Sequence, residues 1–262
     1  MVLWRAQRYA DGDRIEVAGG SVLLRVSARA TRVSLKLDSA RRIVVATAPS
    51  ERRLREAAQF ALERADWVRA RLNTLPEPLT IAPGLMVDVL GRPHQLIRAP
   101  GRARWRPPSE TEPAALIVSG EGEAFARAVV RALKAEARRV LAERTEVHAR
   151  ALGRPPPSLA IADPRARWGS CTPPRTRGFG AAVEVGAVRY SWRLVLAPMA
   201  VLDYVAAHEC AHLIEANHSP RFWAVVHSLI GDHRPHRNWL KAHGARLHGF
   251  GRAIEGAAAA SR

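Results

Sequence analysis

The sequence predicts an α+β fold, with a strand-rich first part and a more helical second part. Residues 14–47 alternate apolar and polar side chains, which is the two-residue period of half-buried strands. Residues 123–152 repeat apolar residues at helical spacing instead, and so does the segment around residues 198–216. The chain has 262 residues, of which 47% are hydrophobic, so it is long enough to enclose a buried core.

The first strands are followed by a predicted helix. Leu35 and Leu37 point to one face of a strand, and the segment DSARR is predicted to turn into the next strand. Ser50 is a typical N-cap for a helix that runs to about Leu72. The segment NTLPEP then ends this helix.

The middle of the chain predicts a hairpin, a loop, a strand and a long helix. GLMVDVLGRPHQLIRA is typical of a β-hairpin that turns near Gly91 and Arg92, and ALIVSG of a further strand. Between them, PGRARWRPPSETEP is rich in proline and arginine and predicts an exposed loop. The helix at 123–152 ends at GRPPP.

The last third predicts two short strands and three helices. SLAIAD and AVRYSWRLVLAP indicate strands, with ARWGSC between them. Helices are expected at about 198–216 and 220–230, with Asn217 in a left-handed conformation ending the first and Ser219 capping the second. A short helix near 236–247 precedes a Gly/Ala-rich tail, which we expect to fray.

Composition excludes some classes of protein and leaves others open. The formal net charge is +17, and all but three of the 41 basic residues are arginine. This charge is either an arginine-rich solvated surface or a means of attracting nucleic acid, nucleotide or an acidic substrate. No apolar run is long enough for a membrane span, and the N-terminus has no signal-peptide pattern. Two cysteines do not make a disulfide framework, so we expect a cytoplasmic protein with no membrane partner.

The segment HECAHLIEANHSPRFW contains the pattern H-E-x-x-H. His208 and His212 lie one helical turn apart on one face, so both imidazoles can bind one ion. Glu209 lies beside them and can reach a metal-bound water without being a ligand. A catalytic zinc needs a third protein ligand and one open position. Glu215 and His218 are the candidates, and we favour His218, with Glu215 as a solvated or neighbouring carboxylate.

Other polar residues are weaker candidates for the same site. Arg167, Tyr190, Tyr204 and His233 are candidates for contacting the substrate or a developing oxyanion. Cys210 faces away from the ion and is interpreted as a small core residue. Cys171 is either structural or part of the site lining.

RWGSC at 167–171 and WRLVLAPMAVLDYVAAHECAHLIEANHSPRFW at 192–223 closely resemble the YgjP-like group of zinc metallopeptidase-type proteins, relatives of the SprT proteins. TRVSLKLDSARRIVVATAP, ADWVRARL and GLMVDVLGRPHQL in the first half are similar to it too. The resemblance implies a zincin-like core, in which a helix with H-E-x-x-H lies against a small sheet. It implies one zinc per chain and a sheet strand beside the cleft. The residues implied are the ligands His208, His212 and His218 and the catalytic Glu209. Trp168, Ser170 and Cys171, on that strand, are candidates for lining the site.

On this basis we expect three regions. Residues 1–118 would form a β-rich region with one helix, 119–250 the zincin-like metal-binding catalytic domain, and 251–262 a frayed tail. Two features depart from the family pattern. The segment at 172–191 is longer than the usual turn between two strands, and the C-terminal part is rich in histidine. These histidines could bind a second ion, or they could simply lie on the surface. They are His227, His233, His236, His243 and His248.

The predicted function is a zinc-dependent hydrolase of the metallopeptidase type, in which Glu209 takes a proton from zinc-activated water. One alternative is hydrolysis of nucleoside triphosphates by the same site, with arginines binding the phosphates. Another is a DNA-associated, SprT-like protease. A structural zinc site would need a fourth ligand, for which Cys171 is the candidate. The sequence leaves the choice between peptide and nucleotide substrate open, and also the oligomeric state.

Overall fold

The structure is a computed structural model. It describes residues 8–38, 42–74, 79–164, 167–174 and 185–251. The chain divides into two units, Met1–Pro78 and Leu79–Arg262. The boundary expected between residues 118 and 119 falls inside the second unit, because the sheet that ends at Val118 shares one hydrophobic core with the helix that follows it. Most of the expected DSARR turn, the middle of the 172–191 segment and the expected tail after Gly251 lie outside the described residues.

The first unit is a four-stranded mixed sheet covered by two helices. Its strands are β1 (Arg14–Val17), β2 (Gly20–Val26), β3 (Ser34–Asp38) and β4 (Ile43–Ala48), in the order β1-β2-β4-β3. Strands β2 and β4 are parallel, and the other pairs are antiparallel. Helix α1 (Leu54–Glu63) buries the apolar stripe that its periodicity predicts.

The single helix expected through Leu72 is interrupted. A 3₁₀ turn at Glu51–Arg53 precedes α1, and the Ser50 side chain makes no capping hydrogen bond. Arg64 leaves the helical conformation, and α2 (Ala65–Asn73) starts after it. No glycine or proline marks this break. After the break, Val68 of α2 is fully buried in the core of this unit.

The second unit begins with another four-stranded sheet. Its strands are β5 (Met86–Val89), β6 (Arg92–Arg98), β7 (Arg104–Arg106) and β8 (Ala114–Val118), in the order β5-β6-β8-β7. The predicted hairpin is present, and it turns at Leu90 and Gly91, both with positive φ, one residue earlier than predicted. The loop expected after this hairpin contains β7, so that part of the prediction is wrong. Strand β7 is a three-residue edge strand with mostly exposed side chains, and it therefore has no alternating pattern to detect.

The rest of this unit holds a long helix, a small sheet and three further helices. They are α3 (Gly122–Ala151), β9 (Ser158–Ala162), β10 (Gly169–Thr172), β11 (Ala187–Ser191), α4 (Met199–Ala211), α5 (Pro220–Ile230) and α6 (Arg234–Gly249). The central strand β11 pairs antiparallel with β10 and parallel with β9. A 3₁₀ turn at Trp192–Leu196 connects β11 to α4. The architecture is therefore α+β, as the sequence predicts.

The core of the second unit fixes the helices around α4. Residues of α3, α4 and the 3₁₀ turn are buried together, including Leu133, Leu141, Trp192 and Leu202. Arg193 is fully buried, and its guanidinium donates to the Phe250 carbonyl oxygen at 3.1 and 2.9 Å. This contact anchors the end of α6. None of the helices in the described parts of the chain is long and apolar enough to cross a bilayer.

A candidate metal centre on helix α4

Helix α4 ends earlier than the sequence predicts. It stops at Ala211, with His212 as its C-cap, and Asn217 does not have a positive φ. The predicted helix end at residue 216, with Asn217 left-handed, is therefore wrong. The chain instead leaves through tight turns, since Ile214 and Glu215 both donate their N–H groups to the Ala211 carbonyl oxygen. These turns bring His218 back beside the helix.

Three imidazoles converge at this helix end. His208, His212 and His218 each offer a ring nitrogen, and these atoms all lie within 4.8 Å of one another. The Nε2 atoms of His208 and His218 are 3.1 Å apart. Ligand nitrogens of a tetrahedral zinc at about 2.0–2.1 Å from the ion are separated by roughly 3.4 Å. The three side chains therefore fit one ion with little movement. Among the residues that the structure describes, no other group of three metal-ligating side chains lies close enough together to bind one ion.

Protein contacts determine which nitrogen of His212 is free to bind. Its Nδ1 lies 3.0 Å from the carbonyl oxygen of Glu215, so Nδ1–H donates and Nε2 keeps its lone pair. Glu215 thus contributes its main chain here, and its carboxylate is not part of the convergent group. In the choice between the two candidate third ligands, the geometry favours His218.

Burial favours the neutral form of His208 and His212. The pKa of His208 is lowered to about 3, first by burial and then by the neighbouring His212 and His218. Burial also lowers the pKa of His212. Neutral imidazole is the form that binds a metal ion. The Nδ1 of His208 has no hydrogen-bond partner among the described residues, so no protein group orients the ring through this nitrogen.

The packing that holds the three rings comes from helix α5. Phe222 is fully buried, and its ring centroid lies 4.9, 4.5 and 4.7 Å from those of His208, His212 and His218. Ser219 fixes the start of the helix, because its Oγ accepts the N–H of Phe222 at 3.3 Å. The predicted N-cap and the predicted core role of Phe222 are both observed.

Glu209 lies buried between α4 and strand β10. Its side chain is about as inaccessible as the core, with 5% exposure, and burial raises its pKa to about 7 against a lowering effect of Arg167. A Cβ atom on Gly169 would lie 2.4 Å from Oε1 of Glu209. Only glycine at this position leaves room for the carboxylate. Sequence reasoning singled out Trp168, Ser170 and Cys171 and missed Gly169, although the W-G-S-C segment contains it.

The neighbours of Gly169 have different surroundings. Arg167 is exposed, and its charge reaches Glu209. Trp168 stacks on His248 with ring centroids 4.1 Å apart, and Ser170 is half-buried on β10. Cys171 is half-buried, and its pKa is raised to about 12 by burial and by Glu209, so its thiol stays protonated. Cys171 lies outside the histidine group, so the geometry does not support it as a fourth ligand.

Two residues named from the sequence belong to the core. Tyr190 is fully buried, and its hydroxyl lies 3.0 Å from the Thr145 hydroxyl. Strand β11 pairs on both sides, and Tyr190 points from it into the interior. Cys210 is also fully buried, and its thiol donates to the Thr145 carbonyl oxygen at 3.6 Å. The core role expected for Cys210 agrees with this position.

Tyr204 and His233 do lie beside the histidine group. The Tyr204 ring centroid is 5.9 Å from that of His208 and 6.2 Å from that of His233. His233 stacks on Trp223 at 4.3 Å. Arg237 lies next to them, with its guanidinium carbon 5.7 Å from the Trp223 ring centroid. Sequence reasoning missed Arg237, because only the packing of α6 brings it to this site.

The histidine-rich C-terminal part offers no second group for an ion within the described ranges. Its histidines stack on aromatic rings instead. His243 lies 4.4 Å from Trp239, and His248 lies 4.1 Å from Trp168, between ring centroids. These contacts give two of the extra histidines a packing role in α6.

The comparison with family models agrees with this site. The model of the YgjP-like metallopeptidase domain matches residues 31–243, which is most of the chain. The chain therefore belongs to the YgjP-like family, whose domain is of the metallopeptidase type. Searches of the curated proteins and of the solved structures give no significant match.

Proposed function

We propose that this chain is a zinc-dependent hydrolase with a zincin-like core and a peptide as substrate. The observation that supports it best is the convergence of three imidazoles next to Glu209, a buried carboxylate of helix α4. His208, His212 and His218 would hold the ion. Bound there, zinc acts as a Lewis acid and lowers the pKa of a water molecule.

Glu209 has the properties that a general base needs. Its pKa of about 7 lets the carboxylate take up and release a proton near neutral pH. The missing side chain of Gly169 leaves room for this carboxylate, and the positive charge of Arg167 lies near it. Glu209 would accept the proton of the attacking water and return it to the leaving group. A donor set of three histidines, with Cys171 outside it, favours catalysis over a closed structural site.

A single substitution tests this proposal. Glu209→Gln is isosteric and removes the base, so turnover of an unfolded polypeptide should fall about 10²–10⁴-fold. The zinc content should stay at the wild-type level, since Glu209 is not a ligand. Glu215→Gln is the matched control, because it removes a nearby carboxylate that is outside the histidine group. Wild-type turnover in Glu209→Gln would remove Glu209 as the base.

Hydrolysis of nucleoside triphosphates is the second candidate. Arg167 and Arg237 lie beside the site, and no carboxylate within the described ranges forms an ion pair with either. Guanidinium groups bind phosphates well. Assays of the wild type and Glu209→Gln with a mixture of nucleoside triphosphates test this candidate. Glu209-dependent release of phosphate or pyrophosphate, without new peptide termini, would favour it over the peptidase.

A further inference from the structure

Arg237 stands one aromatic ring away from the histidine group. It lies in the first turns of α6, with its guanidinium carbon 5.7 Å from the Trp223 ring centroid. The Trp223 centroid lies in turn 5.8 Å from that of His208 and 5.9 Å from that of His218. The tryptophan ring therefore lies next to Arg237 and also next to two of the three candidate ligands.

Aromatic packing orients this arginine. Trp223 is half-buried and stacks on His233, with centroids 4.3 Å apart and planes inclined by 18°. His233 stacks in turn on Tyr204 at 6.2 Å. We call Tyr204, Trp223 and His233 the aromatic wall. A guanidinium against such rings is held in place while its N–H groups remain available.

Arg237 differs from its neighbours on α6 in its partners. Arg234 forms two hydrogen bonds with the Asp232 carboxylate, at 2.8 and 2.9 Å. No carboxylate in the described parts of the chain pairs with Arg237. It is exposed, so its free donors face the solvent beside the site. Its charge-assisted donors are thus free for a group from outside the chain.

We propose that Arg237 is a specificity-determining residue that binds an oxyanion of the substrate, either a carboxylate or a phosphate. The planar guanidinium matches both groups through paired N–H donors. The aromatic wall then places this oxyanion on the side of the histidine group, with the Trp223 ring between them. The inference rests on the proposed hydrolase function of the same site, for which it defines the substrate class.

Direct binding tests the proposal with defined probes. Calorimetry on the zinc-loaded full-length protein would use inorganic phosphate and two terminally blocked peptides that differ only by Glu in place of Gln. The variants are Arg237→Gln, Arg237→Lys and Arg246→Gln. Arg246 is the matched control, because it is an exposed arginine nine residues further along α6, on the opposite face. Melting temperature and zinc content establish that each variant is folded and loaded.

Arg237→Gln should weaken binding of the acidic probe about tenfold, which corresponds to about 1.4 kcal/mol. Arg237→Lys should bind it with intermediate affinity, and Arg246→Gln should match the wild type. If Arg237→Gln loses affinity only for the Glu peptide, the oxyanion bound by Arg237 is a carboxylate. If it loses affinity only for inorganic phosphate, the oxyanion is a phosphate. Equal affinities in the wild type and Arg237→Gln would overturn the proposal. An equal loss in Arg246→Gln would also overturn it, since net charge alone would then explain the effect.

The same variants separate this inference from the proposed function. With a substrate that shows Glu209-dependent turnover, Arg237→Gln should raise KM about tenfold and leave kcat near the wild-type value. If Glu209→Gln keeps full activity, the proposed hydrolase mechanism fails, yet the binding difference at Arg237 is still measured. If binding is equal in all variants while turnover still depends on Glu209, only the role of Arg237 fails.

Discussion

The polar side chains on the two sides of helix α4 have different kinds of partner. On the side that faces α3, the Asp203 carboxylate accepts hydrogen bonds from Arg144 at 2.7 and 3.1 Å and contacts His148 Nε2 at 2.6 Å. Cys210 donates to a carbonyl oxygen of the same helix α3. On the cleft side, His208 contacts aromatic rings and the two other histidines of the group.

Burial alone does not distinguish these two sides. His148 is 3% exposed and Glu209 is 5% exposed, so both are core residues by this measure. The partners distinguish them. Polar groups on the α3 side are satisfied by other side chains and hold two helices together, as buried polar groups usually do. Polar groups on the cleft side converge on one another at ligand distance, which is the arrangement of a metal centre.

The largest effect should come from removing a ligand on the cleft side. His212→Ala leaves two imidazoles, and we expect the zinc content after dialysis to fall from one per chain to nearly none. Elemental analysis by mass spectrometry measures this directly. His227→Ala is the matched control, since His227 is an exposed histidine of α5 outside the group. One zinc per chain in His212→Ala would mean that the ligand set is wrong.

A smaller effect should follow from crowding Glu209. Gly169→Ala places a methyl group 2.4 Å from Oε1 of Glu209, so the carboxylate must move. A displacement of about 1 Å can cost about 100-fold in rate, and we expect kcat to fall by up to that factor with the zinc content unchanged. Gly249→Ala is the control, because a Cβ there meets no atom within 4 Å. Unchanged kcat in Gly169→Ala would show that this contact does not position the base.

The smallest effect on function should come from the α3 side of the helix. Asp203→Asn breaks a partly buried ion pair and should lower the free energy of unfolding by about 2 kcal/mol at pH 7, with zinc binding kept. Chemical denaturation measures this difference. If zinc is lost from the folded variant, Asp203 would belong to the metal centre rather than to the helix packing.

The contacts of Asp203 with Arg144 and His148 also predict that stability depends on pH. Burial raises the pKa of Asp203, but the hydrogen bonds with His148 and Arg144 outweigh it, and the net pKa is lowered. A carboxyl group whose pKa falls on folding stabilises the protein above its unfolded pKa of about 4. That contribution is lost as the pH falls through the lower folded pKa. The stability difference between wild type and Asp203→Asn should therefore narrow below about pH 4. A constant difference across this range would contradict the role of the charge.

Local patterns predicted much of the fold and the centre of the site. The spacing of His208, Glu209 and His212 follows from one helix, and Ser219 marks its own helix start, so both are readable along the chain. The end of α4 and the break at Arg64 were not predicted, because no glycine or proline marks either position in the sequence.

Residues that reach the site from other elements were the least predictable. Arg237 depends on how α6 packs, and Gly169 matters through one contact across the sheet–helix interface. Tyr190 shows the reverse error. Its residue type suits an oxyanion site, but its strand position turns it into the core. Side-chain chemistry indicates what a residue can do, and only the fold decides which other residues it meets.

Anomalous diffraction at the zinc edge, on crystals of zinc-loaded protein, tests the central claim most directly. The account predicts one peak per chain, about 2.0–2.1 Å from the Nε2 atoms of His208, His212 and His218. No peak among these three side chains, or a peak ligated by Glu215 or Cys171, would contradict it.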